Sequence, residues 1–428
     1  MITAILFGSL VLLLALGVPV AFSIGIASLL AMVSNGLVPI SMAQKLLTGV
    51  DSFPLMALPF FLLAAELMTG GALAEVLLRF AAMFVGHRRG GLGYTNILTL
   101  TFFSGISGSA LADAAGPGSI LIRMMRKSGY PVGYAAALTA STAVVGPIIP
   151  PSIIMIVYAL QDQNVSVISL FMAGIIPGLL ISGSLMAYNY WSSKKRNFRG
   201  EGEAPDLKTI LVTSWKALPA LVLPVIIVVG IHGGVFTPTE ASVIAVFYAL
   251  VCGMWVYRTL TWSMMPGILA RSALMTAAVL VIVAMCSAFA WVLTVVKVPQ
   301  GLALWIGSLG LDPITFLLAV NVLLLLFGIF IEPLPGVMVL VPILAPMAAA
   351  LGIDPIHFAI VVIVNLTIGM ITPPVGGLLF VTAMVAKIKL SELNKELYPM
   401  LAVQLVVLAL LTLVPSLSTW LPAVLRAQ

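Results

Sequence analysis

The sequence predicts an all-α polytopic membrane protein made of two related halves, each with a re-entrant helical hairpin and a broken helix. Three observations predict it. First, the 428 residues are 61% hydrophobic and only 8% charged, against roughly a quarter charged in a soluble domain. Second, continuous apolar runs occupy residues 5–33, 167–191, 218–231, 235–256, 273–296, 314–331 and 402–414. About 20 such residues cross the hydrocarbon core as a helix; the runs 218–231 and 402–414 are short and read as tilted, broken or extended by their neighbours. A porin-like barrel is excluded, because its strands alternate apolar and polar residues over about ten positions. Third, glycine and proline interruptions in one half recur in the other at an offset of 223 residues (Gly146 to Gly369).

The run 5–33 lacks a basic leading region and is too long for the core of a cleaved signal, so it reads as the first membrane helix. Residues 92–103 and 114–125 are helical but too short to cross alone. Between them lies Ser104-Gly105-Ile106-Ser107-Gly108-Ser109-Ala110-Leu111-Ala112-Asp113. That stretch predicts a hairpin that enters the membrane part way and turns back over an unwound turn. Backbone freed of its helical bonds must be buried in protein or line a polar cavity. Its carbonyls and serine hydroxyls suit a hard cation such as Na⁺, and inward-pointing helix N-termini suit a carboxylate. Next, Pro150-Pro151 removes two backbone donors, so residues 145–152 break the following span between 135–145 and 153–160.

The charged segment 192–208 carries Lys194, Lys195, Arg196 and Arg199, then Glu201, Glu203 and Asp206. Its basic start directly after an apolar span favours the cytoplasmic side. The chain divides into residues 1–193, a charged connector 194–214, and residues 215–428. In the second half the partner turn is 328–336, with Glu332, and the partner break is 365–377. Gly146-Pro147-Ile148-Ile149-Pro150-Pro151 matches Gly369-Met370-Ile371-Thr372-Pro373-Pro374, while Gly105 pairs with Gly328 and Gly129 with Gly352. Paired interruptions of this kind mark the binding site in transporters built from repeats, which are often inverted in the membrane.

An ionisable group at the centre of a membrane helix costs about 2.5–3.5 kcal/mol or more, which makes Asp113 and Glu332 functional candidates. Glu66 and Glu240 carry the same argument more weakly, and each suits pairing with an Arg or Lys. Thr372 stands one residue before Pro373-Pro374, where its hydroxyl is expected to face the cavity and not to bond back to its own helix. Cys252 and Cys286, inside apolar runs, read as free buried thiols. The net charge of +6 suits basic loops against membrane lipid. No basic stripe with interleaved aromatics points to nucleic acid. His87, His232 and His357 are isolated and form no zinc helix, and no Walker loop is present. Ser107-Gly108-Ser109 lacks the strand-to-helix context of a nucleophile elbow. An enzyme is therefore not predicted, and energy must come from an ion gradient or a separate subunit.

At these residues the chain resembles the large membrane subunit of the tripartite ATP-independent periplasmic (TRAP) transporters. The resemblance runs end to end, through Gly17-Val18-Pro19-Val20-Ala21, Asp51-Ser52-Phe53-Pro54-Leu55-Met56-Ala57-Leu58-Pro59, and Gly90-Gly91-Leu92-Gly93-Tyr94. It continues through Ser107–Asp113, Pro147–Ile153, Gly234-Val235-Phe236-Thr237-Pro238-Thr239-Glu240-Ala241 and Gly369–Gly376. It implies an elevator transporter of the bacterial inner (cytoplasmic) membrane that imports organic acids with Na⁺, taken from a periplasmic binding protein. A small four-helix membrane subunit packs on its scaffold and is expected as a separate polypeptide, because this chain begins at the large subunit's own first helix. The resemblance further implies a first Na⁺ site at Ser104, Gly105 and Ser107 with carbonyls around Gly146, Ile149 and Pro150. A second would use Gly328, Gly369 and Thr372. Substrate would lie between the hairpin tips near Ser107, Ser109, Asp113, Ser152, Glu332 and Pro335; many relatives carry Asp where this chain has Glu332. The competing readings are a carboxylate carrier needing no binding protein, a membrane enzyme acting on lipid, and a passive channel. A lipid enzyme would need ionisable groups clustered at one depth, and a channel would not need paired broken helices. Neighbouring genes for a binding protein and a small subunit discriminate the first.

Overall fold

The computed structural model describes residues 2–70, 73–200, 204–298, 300–302 and 310–426, and its regular elements are helices. Before the charged connector come α1 (Ile2–Ala15), α2 (Val20–Ser34), α3 (Ile40–Val50), α4 (Ala57–Gly70), α5 (Leu73–Val85), α6 (Gly91–Ser107), α7 (Ala110–Ala115), α8 (Pro117–Lys127), α9 (Val132–Ala143), α10 (Ile153–Gln161) and α11 (Val167–Arg196). After it come α12 (Leu207–His232), α13 (Pro238–Val251), α14 (Met265–Val295), α15 (Pro313–Gly328), α16 (Pro333–Ala350), α17 (Pro355–Gly369), α18 (Gly377–Ala386), α19 (Leu390–Leu413) and α20 (Ser416–Arg426). Six of the described helices are long and apolar enough to cross a membrane, or up to seven if the bent pair Ile40–Val50 and Phe53–Thr69 counts as one span.

The run expected as one first helix is two. α1 ends before Gly17, which sits at φ +79°, and Pro19 caps α2. Pro disfavours helical geometry in the residue before it, so Val18 cannot carry the helix across. The two pieces then pack on each other. Where helices start, the local chemistry is explicit. Ser166, Asp206, Asp312 and Asp354 each accept a backbone N–H in the first turn of the helix they precede, and Pro opens α13, α15, α16 and α17, where its missing donor costs nothing. At the Gly234–Ala241 connector, Thr237 and Glu240 form a reciprocal capping box. Glu240 is thus a cap and not half of an ion pair.

The helices pack in two groups. α4 lies along α13, and α2, α3 and α4 all lie along α14. In the other group α9 runs along α6 and α19, α15 along α17, and α11 along α6, α17 and α19. The groups touch where α16 meets α14 and where α5 lies between α6 and α12. On α12, Leu211, Trp215, Leu218, Val225 and Val229 are exposed at helical spacing, an unbroken apolar face that water would not tolerate and lipid does. At the end of α11, Arg196 forks onto the Glu396 carboxylate at 2.9 and 2.6 Å and lies 5.2 Å over the Tyr134 ring. That clamp ties the last turn of α11 to the start of α19. Cys252 and Cys286 are free and buried.

Candidate functional site

The first hairpin is α6, the tip, then α7 and α8. Its unwound part is much shorter than the ten residues expected: α6 continues through Ser107, and only Gly108 and Ser109 leave the helix. Gly108 sits at φ +60°, and a Cβ there would meet the Pro151 carbonyl oxygen at 2.6 Å. Only glycine both turns the chain left-handed and lets the tip abut the first break. Ser109 then caps α7. Ser104, expected to offer its hydroxyl, donates it to the Thr101 carbonyl of its own helix at 2.7 Å.

The first broken span is α9, residues 144–152, then α10. The tip and the break interlock. Gly146 faces Asp113, for a Cβ on it would lie 2.6 Å from Asp113 Oδ2. Asp113 is fully buried; its Oδ1 accepts the Ser107 hydroxyl, and its Oδ2 has no hydrogen-bond partner. A Cβ on Gly105 would meet the Pro224 ring of α12 at 3.1 Å, with the Pro150 carbonyl oxygen at 3.7 Å. The Ile149 side chain instead packs toward Gly178 of α11. Ser152 is fully buried, donates to the Pro147 carbonyl at 2.5 Å and receives the Met155 N–H at 3.3 Å. Its hydroxyl is therefore committed to closing the break and capping α10.

In the second half α15 ends at Gly328, residues 329–332 form the tip, and α16 resumes at Pro333. α17 ends at Gly369, residues 370–376 form the break, and α18 follows. Gly328 and Gly369 touch backbone to backbone: a Cβ on Gly369 would stand 2.7 Å from Gly328 Cα. The Gly376 N–H reaches the Ile329 carbonyl at 3.1 Å, joining break to tip. Contrary to expectation, the Thr372 hydroxyl bonds back to the Ile368 carbonyl at 3.0 Å. The three residues following Ile368 are still in a helical turn, so that carbonyl remains the nearest acceptor; the oxygen's lone pairs stay available. One turn upstream, Asn365 donates to the Asn321 carbonyl at 3.0 Å and to its side-chain oxygen at 2.7 Å, tying α17 to α15.

All four interruptions meet on one cavity of about 710 Å³. Ser107 and Ser109 come to it from the first tip, Pro147 and Ile153 from the first break, Glu332 and Leu334 from the second tip, and Met370 from the second break. A neighbouring cavity of about 600 Å³, lined by Pro335 and residues of α2 and α14, shares Glu332 and Met370 with it. Ser107, Ser109 and Glu332 reach the wall, with Glu332 exposed between the two cavities. Asp113 and Ser152 do not: Asp113 turns into the tip-to-break interface, and the Ser152 hydroxyl bonds within the break itself. The opposite wall was missed. It comes from Ala65, Glu66 and Thr69 of α4 and from Met275, Ala278 and Ile282 of α14. Only Glu66 gave a signal, as a carboxylate in an apolar run; it pairs with Arg271 at 2.9 Å.

A polytopic helical protein whose two hairpin tips and two broken helices close on one internal cavity is built as a secondary transporter. Comparison with known proteins narrows this class. The family model described as "Tripartite ATP-independent periplasmic transporter, DctM component" matches residues 7–417. The chain is 40% identical to the sialic acid TRAP transporter large permease protein SiaM of Vibrio cholerae, over 97% of this chain and 97% of that one. It is 36% identical to the C4-dicarboxylate TRAP transporter large permease protein DctM of Rhodobacter capsulatus, over 98% and 99%. It is also 42% identical to the isethionate TRAP transporter permease protein DctMQ of Oleidesulfovibrio alaskensis over 96% of this chain, and spans 65% of that longer relative. Among solved structures, the Alcanivorax borkumensis YdaH transporter shares the fold, with a TM-score of 0.60 over 86% of each chain at 16% identity. The chain belongs to the DctM family of TRAP transporter large permeases. It is a multi-pass protein of the inner membrane and a transporter subunit, not an enzyme.

Proposed function

We propose that this chain imports an organic acid, driven by Na⁺, from a periplasmic binding protein, and works with a small membrane subunit. The observation that carries this reading is the single cavity reached by both hairpin tips and both breaks. Relatives named for sialic acid, C4-dicarboxylates, isethionate and 2,3-diketo-L-gulonate support an organic acid as the cargo. For Na⁺, the support is the buried Asp113 Oδ2 with no hydrogen-bond partner, set between the first tip and Gly146. A buried carboxylate oxygen without a partner costs free energy that a cation there would offset. Ser107, bonded to the same carboxylate, is a neighbouring oxygen. In the second half, Thr372 and the carbonyls around the Gly328–Gly369 contact are the counterpart.

The two halves, 1–193 and 215–428, joined by the connector 194–214, act as repeats of inverted orientation. The hairpins and broken spans form the body that slides, while α2, α4, α13 and α14 form the scaffold against which it moves. The test is uptake into proteoliposomes that hold both membrane subunits and receive the loaded binding protein. Uptake requires an inward Na⁺ gradient and falls to background when the binding protein is omitted. Equal uptake with choline in place of Na⁺ on both sides, without a pH gradient, refutes the coupling. Robust uptake by the large subunit alone refutes the dependence on partners.

A further inference from the structure

The cavity wall carries Glu66 and Glu332 but, among the described residues, no Lys or Arg. An anion entering it meets two carboxylates, and a charge of either sign is expensive in such a space without a partner. Among the described residues, the cation tied to a wall residue is Arg271. Its Nε donates to Glu66 Oε2 at 2.9 Å, and no bond to another described residue holds its two Nη groups. The Arg271 side chain is 55% exposed, against 16% for Glu66. On α14, Arg271 lies 4, 7 and 11 residues before the wall residues Met275, Ala278 and Ile282, which puts it on the same helical face, one turn beyond the cavity's edge.

We infer that Arg271 is the anion-binding group at the rim of this cavity: its free Nη pair takes the acid group of the transported anion, a carboxylate or a sulfonate, while Glu66 fixes the guanidinium through Nε. Guanidinium is suited to this because it presents parallel donors that match both oxygens of a carboxylate. A lysine tied to Glu66 would keep two N–H groups on a single nitrogen, without the parallel geometry that matches both carboxylate oxygens. The rim also has a side. α11 ends on Lys194, Lys195 and Arg196, α12 crosses away, α13 returns, and α14 starts at that same basic end. Basic segments mark the cytoplasmic face. Arg271 stands six residues after Met265, the first residue of α14, roughly 9 Å into the helix. It is therefore the group met by an acid leaving toward the cytoplasm.

The inference rests on the organic-acid reading, and the experiment separates the two. Uptake of labelled succinate, N-acetylneuraminate, isethionate and 2,3-diketo-L-gulonate is measured first with the wild-type reconstituted system. If none moves, the organic-acid reading fails, and the role of Arg271 with it. With any acid that moves, Arg271→Gln raises KM at least tenfold while Vmax falls less than threefold. Glu66→Gln lowers KM, because the guanidinium loses its competing carboxylate. The double variant Glu66→Gln/Arg271→Gln keeps a neutral hydrogen-bonded pair between α4 and α14, guards against misfolding, and shows the same rise in KM as Arg271→Gln. A KM for the double variant within twofold of wild type overturns the inference. So does a Glu66→Gln variant whose KM rises as far as that of Arg271→Gln, since the ion pair would then serve only to join two helices.

Discussion

Replacing Gly369 with alanine puts a methyl carbon 2.7 Å from Gly328 Cα and 2.8 Å from its carbonyl carbon. Ordinary contact begins at 3.4 Å, so α17 would have to draw back from α15 by about 0.7 Å. Both clashing atoms are backbone, and no rotamer change relieves them. Overpacking of this kind costs typically about 1–3 kcal/mol, and the usual gain from Gly to Ala inside a helix returns roughly 0.5–1 kcal/mol. A net loss of up to about 2.5 kcal/mol follows. The reciprocal change, Gly328→Ala, meets Gly369 Cα at 3.0 Å and should cost less. Gly183→Ala, on α11 with nothing within 4 Å, should raise stability. Thermal unfolding of the purified protein then orders the variants as Gly183→Ala, wild type, Gly328→Ala and Gly369→Ala, from most to least stable. Uptake should fall at least tenfold in Gly369→Ala, because the displaced carbonyls lie beside the second tip. A Gly369→Ala protein that unfolds with Gly183→Ala and transports like wild type would refute the reasoning.

Ser152→Ala leaves the buried Pro147 carbonyl and Met155 N–H without their partner and should cost about 1–3 kcal/mol. It should lower the unfolding temperature while KM moves less than threefold; a large, isolated rise in KM would return Ser152 to the substrate. Thr372→Val should raise the Na⁺ concentration for half-maximal uptake about tenfold, roughly 1.4 kcal/mol, while Thr372→Ser keeps it; wild-type Na⁺ dependence in Thr372→Val removes Thr372 from the ion site. Asp206 accepts hydrogen bonds from Thr209, first from its side chain and then from its backbone, and these hold its carboxyl below the ordinary value. Its contribution is present above the unfolded carboxyl's pKa and is lost as pH falls through the lower folded one. The stability gap between wild type and Asp206→Asn should therefore be open at pH 7 and close in strong acid; a gap unchanged by acid would rule the cap out.

Much of the architecture is legible from residue types alone. Too few charges for a water-facing surface means a membrane, and Gly and Pro at matching offsets mean two halves interrupted at the same places. The breaks fall where Pro150-Pro151 and Pro373-Pro374 stand, and the second hairpin tip falls beside Glu332. The extent of each interruption was not legible. α6 runs on to Ser107 because a helix ends where a glycine can turn left-handed, here Gly108, and not where small residues begin. α1 and α2 separate at Gly17-Val18-Pro19, although every residue on either side is apolar enough for a single span.

From the residues alone it follows that this chain crosses a membrane, that spans break at Pro150-Pro151 and Pro373-Pro374, and which family it belongs to, because hydropathy and the backbone limits of Gly and Pro are properties of single residues. Only the tertiary structure decided which way the polar side chains point. Asp113 turns into the contact between first tip and first break, and Ser152 bonds within the break, leaving Ser107, Ser109 and Glu332 on the cavity wall. A hydroxyl or a carboxylate buried in an apolar bundle goes to the nearest partner, and the nearest partner is set by packing. The wall from α4 and α14 was hidden for the related reason that a lipid-facing Met and a cavity-facing Met have the same spacing in sequence. What separates them is which helix stands opposite.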